Sequence, residues 1–135
     1  MKDWWKKFNS LTSQDKWLLI KALWNLIHLS FALRILPFHY FKKYYRFLPA
    51  TSIHPLLTLQ YAKAIRRAST LVPSIFTCLP QALTLKKGLK DCKLIIGVQA
   101  SQTLNLDAHA WVERDKQILI GEFPTFEYLP LWVWE

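Results

Sequence analysis

Two residues in this sequence have both the type and the setting for chemistry. Cys78 follows Thr77, a good N-cap, and precedes Pro80, which an α-helix tolerates only in its first turn. The thiol is therefore expected at a helix N-terminus, where the dipole and free amide groups favour a thiolate. The same amides, from Cys78 and Leu79, suit the oxyanion that forms when a thiolate attacks a carbonyl. A small buried hydrophobe is the ordinary fate of a free cysteine. His109 changes the balance. It lies in Ala-His-Ala-Trp-Val-Glu (108–113), which reads as a strand downstream of the cysteine helix. A sheet packed on that helix would offer the imidazole as general base and then acid. Taken alone, the pair is equally compatible with a strand histidine held by a backbone carbonyl.

Other chemistries find little support. Three glycines form neither GxGxxG nor GxxxxGK[ST]. The histidines His28, His39, His54 and His109 show no HExxH spacing, and Cys78 and Cys92 are too few for a four-thiolate site. No metal and no cofactor are expected. Cys92 lacks a cap or a histidine motif and reads as a structural thiol, not a disulfide partner.

The elements that must position Cys78 and His109 are legible in the periodicity. Thr12-Ser-Gln-Asp15 has capping-box spacing, and an apolar run from Trp17 to Leu36 follows, stopped by Pro37. Lys21, Asn25, His28 and Arg34 interrupt the run near one helical face, so it reads as a helix with a narrow polar stripe packed into protein, not a membrane span. A short aromatic-basic helix is expected over His39–Phe47, a third over Leu56–Ser69, and a fourth from Thr77 to about Leu89. The period then changes to 2. Strands are expected at Lys93–Val98, Ala108–Glu113 and Gln117–Ile120, the last two joined by a hairpin at Arg114-Asp115-Lys116. Helices followed by strands imply an α+β fold with an antiparallel sheet packed on a helix. With 135 residues the chain holds one core. Residues 1–50 read as a helical extension and 51–135 as the catalytic core.

The 18 Lys and Arg exceed the 9 Asp and Glu, for a net charge of +9. No nucleic-acid recognition motif accompanies that charge, so an acidic peptide or an anionic surface is the more natural partner. Trp4, Trp5 and the neighbouring lysines suit a membrane interface, which leaves peripheral contact open. The N-terminal residues have no apolar signal core, and a cytoplasmic location is expected.

Several blocks together carry a family resemblance. Thr-Cys-Leu-Pro-Gln-Ala-Leu-Thr-Leu (77–85), Leu-Ile-Ile-Gly-Val (94–98), His-Ala-Trp-Val-Glu (109–113), Gln-Ile-Leu-Ile-Gly (117–121) and Tyr-Leu-Pro-Leu (128–131) occur in that order. Leu-Pro-Phe (36–38) ends the long helix, and basic residues follow it. With these features the chain resembles the transglutaminase-like cysteine peptidases that remove the leader from lasso-peptide precursors, in their freestanding, split form. The resemblance implies a reduced papain/transglutaminase-like core and Cys-His-acid proteolysis. It implies a ribosomally made precursor as substrate, cut between leader and core, usually just after a segment with a penultimate leader threonine. A separate small protein would present the leader, and an ATP-dependent cyclase would close the ring. The family's acid is expected about twelve residues after the histidine. That count falls on Gly121, with Glu122 next to it. Glu122 is the first candidate to orient the imidazole. Glu113 and Asp107 share the strand face of His109 by period 2 and are the alternatives.

Overall fold

The computed structural model describes residues 2–48, 53–89, 92–100, 106–121 and 129–134. The chain runs through helices α1 (Lys2–Asn9), α2 (Ser13–Ile35) and α3 (Phe38–Phe47). A 3-10 turn (Pro55–Leu57) then leads into α4 (Thr58–Ser69) and α5 (Cys78–Gly88). Strands β1 (Lys93–Ala100), β2 (Leu106–Arg114), β3 (Gln117–Ile120) and β4 (Leu129–Trp134) follow. Five helices precede a four-stranded antiparallel sheet in the order β3-β2-β1-β4. The fold is α+β.

The start and stop signals of α2 behave as their chemistry dictates. Thr12 Oγ1 accepts the Asp15 amide at 3.2 Å, and the chain turns extended at Leu36, ahead of Pro37. Leu18, Ala22, Leu26 and Leu29 are fully buried against α4 and α5, which contribute Tyr61, Ile65, Leu83 and Leu85 to one core. The polar stripe expected on this helix does not exist as such. Asn25 is buried, and its Nδ2 donates to the Lys21 carbonyl at 3.1 Å and to the Tyr61 hydroxyl at 3.5 Å. Its Oδ1 accepts from Lys87 Nζ at 3.2 Å, tying α2 to α5. The large apolar side chains Trp17, Ile20, Trp24, Ile27, Phe31 and Ile35 of α2 are all exposed.

Alternation along the strands gives the sheet two faces. Leu94, Ala110, Val112 and Ile120 join the helical core, whereas Ile95 and Trp111 form a second cluster with Ile118. The β2–β3 connection is a two-residue hairpin whose central residues, Asp115 and Lys116, have φ of 51° and 66°. Both positive angles belong to the turn type whose twist matches paired strands. The expected strands are present. β4 is not among the strands expected from the sequence, yet Leu129–Trp134 pairs antiparallel with β1, Leu94 opposite Trp134. Pro130 is tolerated there because β4 is an edge strand, and a register shift between Ile96 and Gly97 accommodates it.

Candidate active site

Cys78 is the first residue of α5 and is half-buried. Thr77 stands at the cap in extended conformation, but its hydroxyl makes no capping bond. The expected cap is thus positional only. Helix geometry leaves the N–H groups of Cys78 and Leu79 without intrahelical acceptors, and Pro80 has no N–H to give. The Gln81 amide is the first to close the helix, on Thr77 O at 3.3 Å. Gln81 Nε2 also donates to Phe76 O at 2.7 Å, pinning the segment that leads into the cysteine. The two amides nearest the thiol are the ones an oxyanion would need.

His109 sits in β2 opposite Gly97 of β1, where the absent side chain leaves space beside the ring. Its Nε2 lies 2.9 Å from the carbonyl oxygen of Gly121. A carbonyl only accepts, so Nε2 carries the proton; in the neutral ring Nδ1 then holds the lone pair. The imidazole stacks on Trp111, centroids 6.1 Å apart and planes 22° from parallel. α5 packs on β2, but it covers the face of Ala110 and Val112, while His109 and Trp111 alternate to the other. Among the described residues no hydrogen bond joins the thiol to the imidazole. The approach of the imidazole to the thiol expected from the sequence is therefore not among the contacts of the described residues.

A family model described as the transglutaminase-like superfamily matches residues 23–133, from the middle of α2 to the last strand, and so takes in both Cys78 and His109. The chain belongs to the transglutaminase-like superfamily. Its members are typically cysteine-based enzymes, peptidases and acyl transferases among them. No curated protein and no solved structure matches the chain.

Within this transglutaminase-like domain the three acid candidates have different positions. Glu122 lies outside the described residues. Asp107 pairs with Gln99 in the β1–β2 register, two residues before His109. The Glu113 carboxylate accepts from the Trp111 indole N–H at 2.8 Å, so it braces the ring that stacks on the imidazole. The domain therefore presents a row of His109, Trp111 and Glu113 on one strand face.

Two contributors to the site were not singled out in the sequence. Trp111 stands in the sequence only as part of the His-Ala-Trp-Val-Glu block, and its period-2 spacing between His109 and Glu113 is the signal that could have found it. Gly121 occupies the position where the acid count falls, and its φ of +83° is open to glycine but strained for other residues. A Cβ there would meet Ala110 O at 2.6 Å. No cluster of three metal-ligating side chains occurs among the described residues.

Proposed function

We propose that this protein is a cysteine peptidase that removes the leader from a lasso-peptide precursor. Membership of the superfamily supports cysteine chemistry, and the order of the blocks from Cys78 to Leu131 supports the lasso-precursor substrate. The observation that carries the mechanism is Cys78 at the first position of α5, with the amides of Cys78 and Leu79 beside the thiol. With Nε2 on the Gly121 carbonyl, a contact that a purely structural strand histidine also makes, this reading gives the base role to Nδ1.

In this reading the scissile carbonyl binds over Cys78, and the imidazole, which lies on the sheet face away from α5, must move to reach the sulfur. Sγ attacks the carbonyl carbon and its proton passes to Nδ1. The oxygen gains the negative charge and rests on the Cys78 and Leu79 amides. The imidazolium, its Nε2–H still held by Gly121, returns the proton to the leaving amine as the C–N bond breaks. Water, activated by the same Nδ1, then hydrolyses the thioester and frees the enzyme. Glu122 is our candidate for supporting the imidazolium charge. The leader is presented by a separate recognition protein, docked in part through basic segments, and the released core passes to an ATP-dependent cyclase.

Incubating the purified protein with candidate precursors, with and without a leader-binding partner, tests this directly. Mass spectrometry should show a free leader carboxylate and an intact core. Cleavage should be slow alone, faster with the partner, and weakened by added salt. Equal rates with and without the partner at limiting substrate would remove the dependence. A leader joined to an added amine would instead reassign the protein to acyl transfer.

A further inference from the structure

The outward face of α2 is apolar from Trp17 to Ile35. Trp17, Ile20, Trp24, Ile27, Phe31 and Ile35 are each between 44% and 71% exposed. At 100° per residue they fall within an arc of roughly 80°. Stripes of this kind normally face a core. Here the core lies on the other side of the same helix, where Leu18, Ala22, Leu26 and Leu29 are fully buried. By length and composition α2 is apolar enough to cross a bilayer. Spanning would tear its inner face from α4 and α5, so the helix can meet a membrane only lengthwise.

Charge decides what the stripe meets. From Lys16 to Lys90 the sequence has no Asp or Glu and 12 Lys and Arg. Helical geometry places Lys16 and Arg34 along one margin of the stripe and Lys21 and His28 along the other. The Lys21 ammonium lies over the Trp17 ring, 4.3 Å from its centroid, a cation–π contact that holds a positive charge beside the stripe. A second copy of the chain laid face to face would set these cationic margins against each other, with no carboxylate between them to answer. An apolar stripe with tryptophans, edged only by cations, matches the interface of an anionic bilayer.

We propose that the outward face of α2 docks flat on an anionic lipid surface, with Trp17, Trp24 and Phe31 at the acyl boundary and Lys16, Lys21 and Arg34 at the headgroups. This inference is independent of the peptidase reading, and its test does not involve cleavage.

The full chain is sedimented with phosphatidylcholine vesicles, with and without phosphatidylglycerol. Binding is expected with the anionic lipid, weak without it, and reduced by salt. Trp24→Asp/Phe31→Asp and Lys21→Glu/Arg34→Glu should each weaken binding at least about tenfold. Both pairs avoid the buried face, and circular dichroism verifies that the helices remain. Failure of the wild-type chain to bind phosphatidylglycerol vesicles at low salt would overturn the proposal. So would an apolar double variant that binds like wild type, since adsorption by charge alone would then suffice. A wild-type dimer in solution that Trp24→Asp/Phe31→Asp disperses, without vesicle binding, would assign the face to a second copy.

Discussion

His109 Nε2 donates to the carbonyl oxygen of Gly121 at 2.9 Å. The backbone thus sets which ring nitrogen can act as base.

Removing the nucleophile should separate chemistry from folding. Cys78→Ala is expected to abolish cleavage while the circular dichroism spectrum and melting temperature stay near wild type. Cys92 is buried, and its Sγ donates to Leu89 O at 3.4 Å. Cys92→Ala should cost about 1 kcal/mol of stability and leave turnover nearly intact. Wild-type cleavage by Cys78→Ala would end the assignment.

Gly121→Ala should damage both stability and rate. The new Cβ would press on Ala110 O and on Trp111 Cβ, at 2.6 and 2.9 Å, so the β2–β3 backbone must shift. The carbonyl on His109 shifts with it. A melting temperature lowered by several degrees, with residual cleavage down at least about tenfold, is the expected pair of results. Cleavage unchanged in a folded variant would free the imidazole from this carbonyl.

The acid is tested by two amides. Glu122→Gln should slow cleavage by roughly tenfold or more, about 1.4 kcal/mol of transition-state stabilisation. Glu113→Gln should do less, because Glu113 accepts from Trp111 and an amide oxygen can still accept that bond. The reverse ranking of kcat/KM would give the role to Glu113.

Two buried tyrosines should limit alkaline stability. Burial raises Tyr61 from 10.0 to about 12, and it raises Tyr45 further still. Tyr45 donates to Leu83 O at 2.7 Å, a bond that needs the neutral phenol. An unfolded chain loses these protons near pH 10, before the folded one. Stability is therefore full below pH 10 and falls as pH rises through 12, by about 3 kcal/mol for Tyr61 alone. Urea midpoints measured from pH 9 to 12 should trace that decline, and Tyr61→Phe should flatten it.

The hairpin carries removable strain. Lys116 has φ of 66° without being glycine. Lys116→Gly is expected to raise stability by up to about 1 kcal/mol in thermal unfolding, with cleavage unchanged.

Much of this fold is written in local sequence. Pro80 and the cap position locate the start of α5, and alternation around His109 gives β2 and its hairpin. The missing parts are those that depend on distant neighbours. In α2 the apolar residues surround the helix, so periodicity cannot say which side meets α4. Asn25 therefore looked like a surface residue until Tyr61 and Lys87 were seen to enclose it. β4 contains Pro130 and adjacent aromatics, and it becomes a strand only because β1 offers a free edge. The α1 helix, too, lacked a cap signal. At the site, Cys78 and His109 stood out by type. Gly121 did not, because its contribution is a backbone oxygen.

The strand order β3-β2-β1-β4 has a consequence for how the protein is made. β1 gains its neighbour β2 early, but its other edge waits for residues 129–134. Until those have left the ribosome, Lys-Leu-Ile-Ile-Gly-Val (93–98) exposes unpaired backbone beside an apolar surface, a template for joining another nascent chain. Yield at high expression should therefore depend on how quickly β4 arrives. A chaperone that shields β1 should help more than any change at the catalytic residues.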